Sequence, residues 1–249
     1  MSMDLGMLPG NTSRQLVIFD LDGTITRSDT LIPFLAGCLL RFPRLRASML
    51  MLPFDMLCFA LGRISAGNLK ERLLRAVLDG LPVETVDRWA QNFASRVVAS
   101  RCHGGMLDLI KMHQAQGNRL ILLSASPSLY VRLIGQALGI SETVATEVEI
   151  EKDCYTGVLV TPNCAGHEKL RRIREHLGTD KYAGKTLAFG DRESDRPLLE
   201  WADEGWFVKG SSRRRANSLS AAHSPHAGYS PIVLLVLPLS QLYGFAFSL

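Results

Sequence analysis

Apolar residues fall along this chain in two kinds of run. Gln15-Leu16-Val17-Ile18-Phe19 is short and almost continuous and halts at Asp20. That is the pattern of a strand buried on both faces of a parallel sheet, handing its next loop to a site. From about residue 28 to 100 the runs lengthen. Segments 31–40, 47–62, 69–78 and 83–98 suit helices, with Pro43, Pro53 and Pro82 at their breaks or starts. Strand and helix patterns then alternate: a helix over 105–116, a strand over 119–123, a helix over 127–138, a hairpin around 145–160, a helix over 168–177 and a strand over 186–189. Such alternation predicts an α/β fold, a doubly wound parallel sheet of Rossmann-like form with an inserted helical cap. The expected division is a catalytic core of 14–27 and 101–210, a cap of 28–100, and a linker with an apolar tail over 211–249.

Composition narrows the function classes. The 249 residues suffice for one sizeable core plus a smaller inserted unit. A net charge of +4, spread over short clusters at Arg41, Arg44 and Arg46, at Arg171, Arg172 and Arg174, and at Arg213 to Arg215, is too mild for a nucleic-acid footprint. The five cysteines are widely spaced, without zinc or redox pairing, and read as reduced. No signal-peptide pattern opens the sequence, so a cytoplasmic catalytic part is expected, peripheral at the inner face of a membrane if it is anchored at all. Residues 228–249 carry no charge, and as a helix they would reach ~33 Å, enough for a bilayer core. Pro231, Pro238 and Gly244 make that helix a poor one.

In a doubly wound sheet ligands bind beyond the carboxyl ends of the strands, and the candidate chemistry sits there. Asp20 and Asp22 alternate in an extended segment and can face one pocket. One carboxylate can attack phosphorus while the other moves the proton. Ser124-Ala125-Ser126-Pro127 follows an aliphatic run. Ser126 suits an N-cap and Pro127 a first helical position, so the Ser124 hydroxyl and nearby N–H groups form a candidate phosphate site. Lys169, in the first turn of a predicted helix, supplies positive charge, and His167 beside it is a candidate substrate contact. Asp191 and Asp195 follow another apolar strand. Mg2+ takes hard oxygen ligands; Asp191 suits direct coordination, and Asp195 suits a water-mediated role or the positioning of Lys169. Arg192 and Glu193 are expected on the solvated face. Taken singly, each motif is also an ordinary turn or helix cap.

Together, Phe19-Asp20-Leu21-Asp22-Gly23-Thr24, Ser124, Gly166-His167-Glu168-Lys169 and Gly190-Asp191-Arg192-Glu193-Ser194-Asp195 resemble the haloacid dehalogenase superfamily over roughly residues 14–210. The resemblance implies Asp20 as nucleophile, Asp22 as general acid/base, and Ser124 with Lys169 as the phosphate-binding pair. It also implies Mg2+ held by Asp20, the backbone carbonyl of Asp22, and the Asp191 and Asp195 side. Superfamily dehalogenases lack the second carboxylate, so Asp22 favours a phosphatase acting on phosphomonoesters. The helical insert resembles the phosphoserine-phosphatase-like branch. That branch implies substrate contacts at Asp29, where those enzymes carry Glu, and in the cap, where Arg72 and Arg75 stand without the usual Phe. Gly166-His167-Glu168-Lys169, Leu177-Gly178-Thr179 and Asp195 with Pro197-Leu198-Leu199 also resemble phosphatidylglycerophosphatase C-like members. The cap run from Met49 to Leu61 surrounds a single acid, Asp55, and follows arginines, a composition suited to an anionic membrane surface. The substrate expectation therefore divides between a lipid phosphate and phosphoserine or another small metabolite. A non-catalytic, membrane-tethered binding protein is the alternative of another class.

Overall fold

The computed structural model describes residues 14–43, 47–209 and 212–215. Arg44, Arg46 and the apolar tail expected over 228–249 lie outside the described residues. The first strand, β1 (Leu16–Phe19), is wholly buried. Four helices follow it: α1 (Leu31–Arg41), α2 (Ala47–Ala60), α3 (Ala66–Leu78) and α4 (Val83–Ser100), with the two-residue β2 (Leu81–Pro82) before the last. The chain then runs through α5 (Gly104–Ala115), β3 (Arg119–Pro127), α6 (Ser128–Ala137), β4 (Glu142–Thr146), β5 (Val148–Glu151), β6 (Cys154–Leu159), α7 (His167–Leu177), β7 (Thr186–Gly190), α8 (Arg196–Trp201), β8 (Glu204–Lys209) and β9 (Ser212–Arg215).

The main sheet has the order β4-β3-β1-β7-β8-β9. All its pairings are parallel except β8 with β9. The chain winds outward from β1 through β3 to β4, then crosses back to β7 on the other side of β1. The winding direction therefore reverses at β1, which opens a crevice at its carboxyl end. Asp20 is the next residue.

Several elements differ from the sequence expectation, and β2, α8 and β8 have no counterpart in it. Residues 142–146 form a separate parallel strand of the main sheet, and only β5 and β6 make the hairpin. That hairpin pairs with β2 in a second, three-stranded sheet. Residues 212–215, expected within a linker, pair with β8 as an edge strand. A β4 that opens with Glu and Thr lacks the aliphatic run of a doubly covered strand, because it sits at the sheet edge. At Gly157, φ is +76° and an added Cβ would lie 2.4 Å from the Arg75 amide nitrogen. Only glycine lets β6 approach the α3 backbone this closely.

The predicted cap helices are present, but one hydrophobic cluster runs from β1 and β3 through α6 into α1 and α4. Phe34 of α1, Trp89 and Phe93 of α4 and Tyr130 of α6 meet with ring centroids 4.7 to 6.2 Å apart, in the tilted, edge and stacked arrangements aromatic rings favour. α2 is arranged the other way round. Its acid, Asp55, is 4% exposed, whereas Leu50 is 76% and Phe54 60% exposed. Among the described residues no helix is long and apolar enough to cross a membrane.

Candidate active site

Asp20 leaves β1 with extended backbone (φ −72°, ψ 158°), and the chain turns back on itself over residues 21–25. Gly23 makes that turn possible. Its φ is +85°, and a Cβ there would lie 2.0 Å from Asp191 Oδ2, so the loop passes directly against the carboxylate delivered by β7. Gly190 has a similar role at the end of β7, where a Cβ would stand 2.6 Å from the Asp195 Cβ.

Lys169 joins the two sides of the crevice. Its Nζ donates to Asp20 Oδ1 and to Asp195 Oδ1, both at 2.6 Å, and all three side chains are buried. Burial alone would pull the ammonium down, but Asp20 and Asp195 outweigh it and hold Lys169 above the ordinary lysine value. The other oxygen of Asp195 accepts from the Asp191 and Arg192 amides at 3.1 Å each. Asp195 is thereby held in place against Lys169. Asp20 has no such surplus of donors, and burial pushes its carboxyl up despite the nearby ammonium.

Asp22 is oriented separately. Its Oδ1 accepts from the Thr30 amide at 2.8 Å and the Thr30 hydroxyl at 2.7 Å, and its Oδ2 accepts from the Ser126 hydroxyl at 2.5 Å. Burial, reinforced by Asp29, pushes its carboxyl up to about 7 against the hydrogen bonds from Ser126 and Thr30. A carboxyl tuned there can both give and take a proton near neutral pH.

Asp191 is also pushed up to about 7, chiefly by burial and then by Asp20. Among the described residues its Oδ1 is buried without a hydrogen-bond partner. Asp20, Asp191 and Asp195 each bring a carboxylate oxygen within 4.8 Å of the others. An all-oxygen, anionic cluster with an unpartnered buried acceptor fits a hard divalent cation such as Mg2+. The Asp22 carboxylate stays outside this group, held by Thr30 and Ser126.

The remaining candidates divide. Ser124 is buried at the end of β3, and its Oγ accepts from the Ser126 amide at 3.1 Å. Ser126, expected to cap the next helix, instead holds Asp22, and α6 begins at Ser128 after Pro127. Asp29 lies at the rim, 3.7 Å from Arg192, which also approaches Asp191 at 3.6 Å. Arg192 is exposed, as expected, yet also borders the site. Arg72 is drawn away, pairing with buried Asp55 of α2. Arg75 and His167 are exposed, and neither joins the carboxylate–lysine cluster. Sequence reading missed Thr30, Tyr130 and Lys70. The Thr30 hydroxyl also lies 3.2 Å from the Tyr130 hydroxyl, and the Lys70 ammonium reaches the Ala125 carbonyl at 2.6 Å. Thr30 falls just before α1, where a helix start explains it equally well, so no local signal marked it.

Comparison with known proteins agrees with this geometry. Residues 17–200 match the haloacid dehalogenase-like hydrolase family. The chain is 31% identical to protein CicA of Caulobacter vibrioides over 76% of its own length and 83% of the relative's. It is 30% identical to the probable phosphatase Rv3661 of Mycobacterium tuberculosis, over 77% of this chain and 69% of that one. Its fold resembles a substrate-bound phosphoserine phosphatase, with a TM-score of 0.51 and 17% identity over 77% of this chain and 84% of the other. A Rossmann-like sheet with Asp20, Lys169, Asp191 and Asp195 gathered at its crevice, in a chain that matches one family model over most of its length, places this chain in the haloacid dehalogenase-like hydrolase family.

Proposed function

We propose that this chain hydrolyses phosphomonoesters through an aspartyl-phosphate formed on Asp20. The observation that carries the reading is the division of labour between two carboxylates two residues apart. Asp20 faces Lys169, while Asp22 is held by Thr30 and Ser126 with its carboxyl raised to about 7. An Asp20 oxygen attacks phosphorus, the bond to the ester oxygen breaks, and the Asp22 proton goes to the leaving alkoxide. Water then attacks phosphorus, its proton returns to Asp22, and phosphate departs as the Asp20 carboxylate is restored. Ser124 and Lys169 hold phosphoryl oxygens. Asp20, Asp191, the Asp22 carbonyl and the Asp195 side would hold Mg2+, which when bound neutralises charge on the phosphoryl group. The test is hydrolysis of p-nitrophenyl phosphate with Mg2+ and with EDTA. Activity lost in EDTA and in Asp20→Asn supports the reading; equal rates for wild type and Asp20→Asn would sink it.

A second reading concerns the substrate. Arg72 is committed to Asp55 and Arg75 is exposed, so neither cap arginine stands ready for an amino-acid carboxylate. Leu50, Met51, Phe54, Leu57 and Leu61 meanwhile leave α2 and its end apolar toward solvent, with exposures of 55% to 76%. Exposed Arg41 and Arg63 bracket this segment in the sequence. Such a face suits an anionic lipid interface, which favours a lipid phosphate such as phosphatidylglycerophosphate and a peripheral membrane location. Turnover of phosphoserine but not of phosphatidylglycerophosphate in mixed vesicles would exclude it.

A further inference from the structure

Lys70 belongs to none of the motifs above. It leaves α3, crosses to the sheet, and donates from Nζ to the Ala125 carbonyl at 2.6 Å and to Asn163 Oδ1. The same carbonyl accepts from the Thr146 hydroxyl at 2.7 Å, and Thr146 Oγ1 in turn accepts from the Cys164 amide at 3.1 Å. Both acceptor positions of one carbonyl are thus filled, one from α3 and one from the end of β4.

The other end of that peptide unit faces the site. The Ser126 amide donates to Ser124 Oγ at 3.1 Å. Because the peptide is planar and conjugated, fixing the Ala125 oxygen fixes the direction of the Ser126 N–H. An ammonium on the oxygen also makes that N–H the stronger donor. A Ser124 oxygen that accepts this bond keeps its own hydrogen for a different acceptor. The next residue of α3 shows what a plain tether looks like: Glu71 accepts from the Leu159 amide at 3.2 Å, a contact with no link to the site.

We propose that Lys70 is a positioning residue of the phosphate cradle. Acting through the Ala125–Ser126 peptide, it keeps the Ser124 hydroxyl ready to donate to a phosphoryl oxygen. Because α3 carries Lys70, the cradle is complete only when α3 is seated on the core. This role rests on the phosphomonoesterase reading. Lys70 is surrounded by Asp22 and Asp29, which favour its charge, by Cys164, and by Arg192, which opposes it; burial pulls its ammonium down to about 8.

The experiment compares wild type with Lys70→Met, Lys70→Arg, Thr146→Val and the Lys70→Met/Thr146→Val double variant. Steady-state hydrolysis of p-nitrophenyl phosphate with Mg2+, inhibition by inorganic phosphate, and thermal unfolding are measured for each. Lys70→Met lowers kcat/KM by about tenfold to a hundredfold, the scale of a charged hydrogen bond. Inorganic phosphate binds more weakly in parallel, and the unfolding temperature stays within a few degrees of wild type. Lys70→Arg restores most of the rate. It also removes the decline in rate that wild type shows as pH rises through about 8. The double variant loses less than the product of the two single losses, because both act on one carbonyl. Wild-type kcat/KM in Lys70→Met, or strictly multiplicative losses, would overturn the positioning role while leaving the phosphatase reading intact. Absence of any Asp20-dependent hydrolysis in wild type would overturn both.

Discussion

Replacing Lys169 by Met keeps the length and volume of the side chain and removes only its charge and donors. In the native protein two carboxylates stand 2.6 Å from the ammonium, with side chains 3% to 7% exposed. Each contact is worth roughly 6 kcal/mol of gross Coulomb attraction at an effective dielectric of about 20, most of it offset by desolvation of the same groups. Met leaves Asp20 and Asp195 buried, close and uncompensated, a situation that costs about 3–5 kcal/mol. For a chain of this size that corresponds to a fall of about 6–20 °C in unfolding temperature. The pH dependence separates charge from packing. Without the ammonium the Asp20 carboxyl, already raised by burial, lies further above its unfolded value, and a carboxyl raised on folding favours the native state at low pH and loses that contribution as pH rises. The deficit of Lys169→Met is therefore largest near pH 7 and shrinks toward pH 4. Thermal unfolding of wild type and variant in EDTA at pH 7, 5.5 and 4 reads this directly. A deficit equal at all three values, or no deficit, would refute the account of Lys169 as the charge that makes this cluster tolerable. At pH 7 the same variant loses at least about a hundredfold in kcat, since both a phosphate contact and the charge beside Asp20 are gone.

Asp22→Asn lowers kcat on alkyl phosphates by about 10²–10⁴ but affects p-nitrophenyl phosphate less, because that leaving group departs without a proton; equal losses on both would argue against a general-acid role. In wild type the raised Asp22 carboxyl is the proton donor, so turnover of alkyl phosphates falls as pH rises through about 7, whereas p-nitrophenyl phosphate shows the weaker dependence. Gly23→Ala would place a methyl 2.0 Å from Asp191 Oδ2 at a φ of +85°; Mg2+ activation, followed by titration of the rate with the metal, weakens by an order of magnitude or more. Gly157→Ala meets the α3 backbone at 2.4 Å with φ +76° and costs at least about 2 kcal/mol in denaturant unfolding; a change under 0.5 kcal/mol would mean that α3 and β6 separate freely.

Much of the architecture is legible along the chain because its causes are local. The Leu16–Phe19 run reads as a buried strand from four consecutive apolar positions, and the helices from their apolar patterning and from Pro82 before α4, although Pro53 lies within α2 instead of at a break. Asp20, Asp22 and Asp191 are recognisable because each follows a strand whose end marks a ligand-facing position, and Lys169 because it opens a helix after Gly166. The residues that prepare those groups for work carry no such mark. Ser126 looks like a helix cap and instead donates to Asp22 across 104 positions of sequence. Lys70 looks like a solvated helix lysine, yet its partners lie 55 and 93 positions away. Arg72 resembles a substrate contact and is taken by Asp55, a pairing that depends on how α2 crosses α3. β4 begins with polar residues, and only its register beside β3 assigns it to the main sheet.

By itself, then, the sequence determined the α/β alternation, the order of the motifs and which side chains could bear the chemistry, since periodicity and strand-end placement are properties of neighbouring residues. Tertiary structure alone decided the charge states and orientations. The burial that raises Asp22 and Asp191 to about 7, and the clamp that keeps Lys169 charged across 149 positions from Asp20, arise from desolvation and from contacts between distant segments.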